Sequence, residues 1–195
     1  MNNMSKAFGI VNFAGNHIQV DGLQAYRPVG AFSFLGRYRT IDFPISNMSN
    51  SGIDNIEVYV RRKPRSLTEH LGTGRHYNIN SKRGQLNIMY TENNRIGDIY
   101  STDVAAYVEN MDCIERIHLP YVVIAPSYMV YTADYSTFLS EHIESGADIS
   151  MMYHSVDNAK EAFLNCNTLN INKQKGVLSI EPNHGNAKNK NISMD

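Results

Sequence analysis

The sequence predicts an α/β fold built on a mostly parallel sheet, and three observations carry that expectation. Ala7-Phe-Gly-Ile-Val-Asn-Phe13 and Tyr121-Val-Val-Ile-Ala125 are short, continuously apolar runs, the pattern of strands buried on both faces. Strand-like runs alternate with segments of helical spacing, which is how a parallel sheet acquires helices on both faces. Glycine or proline stands at many of the joints, at Gly52, Pro64, Gly72, Pro126 and Gly146.

Taken in order, the Ala7 to Phe13 strand leads into an irregular segment up to Gly36. The loop at the end of a first strand is where open α/β sheets place ligands. Thr40 to Ser51 has helical spacing at Ile41, Ile45 and Met48, and Gly52 stops it. Ile53-Asp-Asn-Ile-Glu-Val-Tyr-Val60 is the second strand, completing a βαβ unit. Pro64 to Leu71 is predicted as a short helix, Gln85 to Thr91 as a strand, and Thr102 to Ile117 as one helix. After the Tyr121 to Ala125 strand come a helix from about Asp134 to Glu144 and a strand over Ala147 to Tyr153. From Asn165 the composition shifts to Asn, Lys and Gly. Thr168 to Ile171 and Gly176 to Ile180 flank Asn172 to Lys175 as a hairpin, followed by loop from Asn183 to Asn191.

At 195 residues, 42% hydrophobic and 19% charged, the chain has the composition of one globular domain over residues 1–195. A formal net charge of −1 offers no field for nucleic acid or an anionic membrane. Cys113 and Cys166 lack zinc-site or disulfide spacing, and no H-E-x-x-H or G-x-S-x-G pattern points to a metalloprotease or α/β-hydrolase. No run approaches the roughly 18 apolar residues of a membrane span. The expectation is a soluble, cytoplasmic protein.

Phe34-Leu-Gly-Arg-Tyr-Arg-Thr-Ile-Asp-Phe-Pro-Ile-Ser-Asn-Met-Ser-Asn-Ser-Gly52 combines a glycine turn, two arginines, Asp42 in apolar company and an Asn/Ser-rich run. It closely resembles the G-G-K-Y-R-I-I-D-F-x-L-S-N-x-x-N-S-G-I segment of the glucose-1-phosphate adenylyltransferases (ADP-glucose pyrophosphorylases). Tyr131 to Tyr135 likewise resembles the second half of that family's G-D-H-I-Y-x-x-D-Y. The resemblance implies a Rossmann-like, three-layer αβα nucleotidyltransferase domain, here ending before the family's C-terminal left-handed β-helix and inside what should be a strand. It also implies the reaction of ATP with α-D-glucose 1-phosphate to give ADP-glucose and diphosphate, with Mg2+ bridging the nucleotide phosphates.

Against that pattern the chain departs where the chemistry sits. The family's A-G-G-x-G-T-R-L loop needs glycines so that backbone N–H groups approach phosphate. Asn12 to Gln19 offers Gly15, with no paired glycine and no arginine, so it is either an ordinary βα loop or a weakened nucleotide site. Arg27-Pro-Val-Gly30 aligns without a gap to R-A-K-P and places Val29 where the family has lysine, while a shift of one would put Arg27 there. The register set by Tyr131 to Tyr135 places Tyr128 at the position of the metal-holding aspartate, and a phenol does not replace that carboxylate. Asp134 is expected to cap the next helix. No residue is assigned a catalytic or metal-ligating role, and retention of Mg2+ by this chain is doubtful.

What remains is a reduced set. Asn12, Gly15, Ser101 and Thr102 are vestigial nucleotide-binding positions, the last two within Ser101-Thr-Asp-Val-Ala105 where relatives carry G-T-A-D-A. That stretch also reads as a plain helix N-terminus. Glu181 and Ser193 are candidate sugar-phosphate contacts, by similarity to E-K-P and S-M-G-I-Y. Arg37 and Arg39 are candidates for an anionic effector or, equally, surface residues beside a turn. Arg61-Arg-Lys-Pro-Arg65 reads as a solvated basic corner.

This pattern resembles the catalytically deficient regulatory subunit that pairs with a homologous catalytic subunit. It implies a hetero-oligomer in glycogen biosynthesis, with ATP, glucose 1-phosphate or a phosphorylated effector as possible ligands and no nucleic acid or membrane partner. Two alternatives stay open: an active nucleotide-sugar pyrophosphorylase with a divergent loop, and a non-enzymatic module sensing a sugar phosphate or nucleotide.

Overall fold

In the computed structural model, which describes residues 3–13, 20, 22–61, 63–79, 82, 84–90, 102–164, 166–188 and 190–193, the first strand β1 (Ala7–Asn12) is almost wholly buried. Its apolar run leaves no polar face, so helices must cover both sides. A hairpin of β2 (Ser33–Phe34) and β3 (Tyr38–Arg39) turns through Leu35 and Gly36, both at positive φ, and leads into helix α1 (Asp42–Ser51). Gly52 ends α1 at φ 96°, its N–H returning to the carbonyls of Met48 and Ser49, as the sequence predicts. Strand β4 (Asn55–Val60) and helix α2 (Arg65–Leu71) follow, with Pro64 at the start and Gly72 at the end of α2.

Strand β5 (Gln85–Tyr90), helices α3 (Asp103–Glu109) and α4 (Met111–Ile117), strand β6 (Tyr121–Pro126) and helix α5 (Tyr135–Ser145) complete the first of two compact units, 1–145. The sheet order is β5-β4-β1-β6 and every pairing is parallel. Alternate residues of β1 serve opposite layers. Phe8 and Ile10 pack with Tyr59, Met89 and Ala106 against Tyr107, Cys113, Ile114 and Ile117 of α3 and α4. On the other face Gly9 lets α1 approach so closely that a Cβ there would lie 2.5 Å from the Met48 sulfur.

The second unit, 146–195, is an antiparallel sheet in the order β7-β10-β8-β9, formed by β7 (Tyr153–Ser155), β8 (Asn167–Ile171), β9 (Val177–Pro182) and β10 (Asn191–Ser193), with a short helix α6 (Ala159–Ala162). The predicted hairpin is β8 and β9. Its turn is closed by the Asn172 side chain accepting the Gly176 N–H at 2.7 Å, with Lys175 in the left-handed region.

Two expectations need correction. The helix predicted over Thr102 to Ile117 is two helices broken at Asn110. Its side-chain amide donates to the Ala106 carbonyl at 3.0 Å, and its φ of −109° leaves the helical region. A side chain competing for backbone partners breaks a helix without glycine or proline, so periodicity did not reveal it. The strand predicted over Ala147 to Tyr153 forms only at Tyr153–Ser155, where β10 lies opposite. A strand requires a hydrogen-bonded partner, and Ile149, 82% exposed, has no place in the ladder.

Candidate functional site at the end of the first strand

Three segments singled out in the sequence meet at the carboxyl end of β1. The Asn12 carbonyl accepts the Ser127 N–H at 3.0 Å, drawing in the segment after β6. A Cβ at Gly30 would lie 3.1 Å from the Cβ of Ser127, so the Arg27 to Gly30 segment packs there too. Val29 and Tyr128, each one residue away from these contacts, therefore sit at the edge of the same region. Val29 is buried and anchored, its carbonyl accepting the Thr40 hydroxyl at 2.8 Å. Tyr128 is half-buried.

The two most family-like stretches interlock. Asn47 donates to the Tyr131 carbonyl at 2.9 Å, and Ser51 accepts the Tyr135 N–H at 2.9 Å while donating to the Asn47 carbonyl at 2.7 Å. The Asn/Ser-rich run of α1 is thus a set of hooks for the segment after β6. Asp134 caps α5, accepting the Ser136 N–H at 2.9 Å and the Ser136 hydroxyl at 2.6 Å. These bonds hold its carboxyl below the usual carboxylate range.

Asn12 is engaged on both sides of its amide. The Tyr107 hydroxyl donates to its Oδ1, and its Nδ2 donates to Asp103 Oδ2 at 3.1 Å. Burial, together with the negative charge of Asp103, pushes the Tyr107 phenol well above its ordinary value, so it stays a donor. Thr102 caps α3, accepting the Ala105 N–H at 3.2 Å, which fits the plain helix N-terminus reading. Gly15 and Ser101 lie outside the described residues.

The candidate effector arginines differ. Arg39 donates from its guanidinium to the Ser66 carbonyl of α2, and its backbone N–H to Asp42 Oδ2 at 2.9 Å. Arg37 is exposed and lies over the Tyr38 ring, 5.8 Å from its centroid. Asp42 is the hub beneath the hairpin, receiving the Tyr77 hydroxyl at 2.6 Å and facing His70 Nε2 at 2.6 Å. In the basic corner Lys63 donates to the Ala25 carbonyl, Arg65 pairs with Glu69 at 2.9 Å and Arg61 lies over the Phe13 ring.

In the second unit, Glu181 is exposed on β9, and its carbonyl accepts the Thr168 hydroxyl at 3.1 Å. Ser193 is buried on β10, its hydroxyl donating to the Asn167 carbonyl at 3.3 Å. Strand β8 lies between them.

Sequence reasoning missed Asp103 and the hooks Asn47 and Ser51. The available signal for Asp103 was a carboxylate one position earlier than in G-T-A-D-A. For the hooks there was none beyond the Asn/Ser bias. It also passed over Glu57, which is 1% exposed on the α3 side of the sheet and accepts the Tyr59 hydroxyl at 3.0 Å. Burial raises the Glu57 carboxyl above its ordinary value. Among the described residues, no three His, Cys, Asp or Glu side chains gather in a way that could hold a metal ion. No helix of the described residues is long and apolar enough to cross a membrane.

Comparisons with known proteins agree with this architecture. A glycogen biosynthesis protein GlgD of Geobacillus stearothermophilus is 32% identical over 160 residues, 79% of this chain and 45% of the relative. A glucose-1-phosphate adenylyltransferase of Clostridioides difficile (strain 630) is 32% identical over 167 residues, 84% of this chain and 42% of the relative. The chain thus spans less than half the length of these curated relatives. A crystal structure of a Bacillus anthracis protein assigned as a glucose-1-phosphate thymidylyltransferase superposes with a TM-score of 0.74 at 13% identity, covering 96% of this chain and 69% of that one. The likeness is one of fold: a parallel sheet flanked by helices, the α/β nucleotidyltransferase architecture. Residues 6–163 match the Nucleotidyl transferase family over most of the chain, and the protein belongs to that family.

Proposed function

We propose that this chain is the nucleotidyltransferase part of a regulatory subunit of glucose-1-phosphate adenylyltransferase, acting in bacterial glycogen biosynthesis in the cytoplasm and catalytically impaired by itself. The observation that carries the reading is the convergence at the end of β1, where Gly30 and Ser127 meet and their neighbours are Val29 and Tyr128. A nucleotidyl transfer with ATP needs charge neutralisation where pyrophosphate leaves. A buried valine supplies no cation and a phenol no hard carboxylate ligand, and the Asp103 carboxylate at this strand end is already engaged by the Asn12 amide, so the residues at these positions are a poor fit for Mg2+. Each missing electrostatic contact costs on the order of 2–4 kcal/mol in barrier, and several together suppress turnover. The similarity to both a glycogen biosynthesis protein and several glucose-1-phosphate adenylyltransferases supports the pathway and a homologous catalytic partner. Exposed Arg37 is the side chain best disposed toward a phosphorylated effector, and of the two sugar-phosphate candidates the exposed Glu181 is the accessible one, since Ser193 is buried with its hydroxyl on the Asn167 carbonyl.

The test measures ADP-glucose formation from ATP, Mg2+ and glucose 1-phosphate, with the protein alone and mixed with a catalytic homologue. The expected result is no product alone, and a changed maximal rate or effector response in the mixture, with the two proteins co-purifying. Magnesium-dependent product from the protein alone would instead identify an active pyrophosphorylase and overturn the proposal. Ligand-induced thermal stabilisation without turnover and without association would mark a free-standing sensor and overturn it equally.

A further inference from the structure

Glu57 lies in an interior row of the parallel sheet, at the register of Ile10 on β1 and Asn87 on β5. It is 1% exposed, and among the described residues it has one hydrogen-bond partner, the Tyr59 hydroxyl at 3.0 Å. The titratable groups that act on this pair from the covering helices are the Tyr107 phenol of α3 and the Cys113 thiol of α4, and Asp103 acts on Tyr107 from the start of α3. None of these is a cation, and the remaining charged or titratable residues of the layer, Glu109, Asp112, Glu115, Arg116 and His118, are all exposed. An ionised Glu57 is thus compensated by a single phenol, and burial raises its carboxyl above the ordinary value. The layer that covers it is thin. Helices α3 and α4 have seven residues each and are broken at Asn110; α3 buries only Ala106 and α4 buries no residue, whereas α1 on the opposite face buries six of ten. Lifting so lightly anchored a layer costs less than unfolding the sheet beneath it.

We propose that Glu57 is a proton-controlled release for the layer formed by α3 and α4: with its carboxyl protonated the layer is held on the sheet, and with its carboxyl ionised the layer lifts locally to admit water. Tyr107 connects this release to the end of β1. Its ring meets the buried Tyr59 ring edge-on, centroids 5.2 Å apart, and its hydroxyl donates to Asn12, so lifting α3 frees the Asn12 side chain at the ligand end of the sheet. The closed form holds the proton more tightly than the opened form, in which Glu57 is hydrated and returns to its ordinary value. Closure is therefore most favoured at and below the ordinary carboxylate range. Opening increases by up to about tenfold per pH unit above that range and levels off beyond the raised value.

The test is amide hydrogen exchange read by mass spectrometry from about pH 5 to about pH 8, corrected for the intrinsic pH dependence of exchange. Glu57→Gln keeps an acceptor for Tyr59 and cannot ionise, and circular dichroism confirms that each variant is folded. The expected result is that α3 and α4 lose protection at least about tenfold more than β1 and β4 across this range, and that Glu57→Gln abolishes the difference. Tyr59→Phe removes the hydrogen bond that favours the charged form, so it should extend the pH dependence to higher pH. Alkylation of Cys113, half-buried on α4, supplies a second readout. The ratio of its rate in the protein to its rate in Glu57→Gln should rise with pH, the thiol's own titration cancelling in the ratio. The same pH dependence in the protein and in Glu57→Gln overturns the proposal. So does a loss of protection shared equally by β1 and β4, which would mean that Glu57 acts on global stability alone. The regulatory reading is tested separately, by ADP-glucose formation and association with a catalytic homologue, and neither result bears on the release.

Discussion

The Ser51 hydroxyl accepts the backbone N–H of Tyr135 at 2.9 Å, joining the last turn of α1 to the first residue of α5 across 84 positions of sequence. Both residues are buried, so the bond satisfies a donor that water does not reach. Ser51→Ala should therefore destabilise the protein by about 1–3 kcal/mol, the cost of leaving that N–H unpaired. Urea denaturation checks this, and an unchanged midpoint would show that the segment finds another partner.

Asp42 accepts the Arg39 N–H and the Tyr77 hydroxyl and faces His70, so it ties the hairpin, α2 and the Arg75 to Tyr77 turn to the start of α1. Asp42→Ala should cost about 3 kcal/mol, and Tyr77→Phe about 1–2 kcal/mol. Because both remove one shared bond, the double variant should lose less than the sum of the single losses. Additive losses in a denaturation cycle would mean that the two residues act independently.

Glu57 provides a pH dependence with a definite sign. Burial raises its folded-state carboxyl above the ordinary value, so the folded protein binds this proton more tightly than the unfolded chain. Its contribution is most favourable at and below the ordinary carboxylate range, and diminishes as pH rises from there through the raised folded value. Glu57→Gln keeps an acceptor for Tyr59 and cannot ionise. The variant should therefore gain stability relative to the protein as pH rises, and close to none at acid pH. A stability difference that does not change with pH would refute the assignment.

Gly9 and Met48 form a contact that leaves no room for a Cβ. Gly9→Ala should destabilise by about 1–3 kcal/mol through overpacking, since Met48 is fully buried and must move. Combining it with Met48→Ala should cost less than the two separately, because the new methyl enters the space the thioether leaves. Thermal melts of the single and double variants decide the matter.

Strand and helix identities were legible where burial or punctuation determines them. Continuous apolar runs cannot be exposed without cost, and Gly52 and Gly72 adopt the positive φ values that stop α1 and α2. The break at Asn110 was not legible, since it depends on a side chain choosing a backbone carbonyl over solvent. Nor was the short length of β7, which is set by where β10 lies. For the candidate site, the expected departures at Val29 and Tyr128 rest on motif register. The approach of their neighbours Gly30 and Ser127 was not legible, because those segments are distant in sequence.

By itself the sequence determined the α/β class, the order of most elements and the residue types available at the strand ends, all of which follow from local burial patterns and short-range turn chemistry. Only the tertiary structure decided what those residues do. Asn12 is engaged by Asp103 and Tyr107, Arg39 is tied by one guanidinium N–H to Ser66, and Asn47 and Ser51 hold the segment after β6. A polar side chain is free for a ligand only when no closer partner in the chain satisfies it, and which partners come close is fixed by packing rather than by neighbours in sequence.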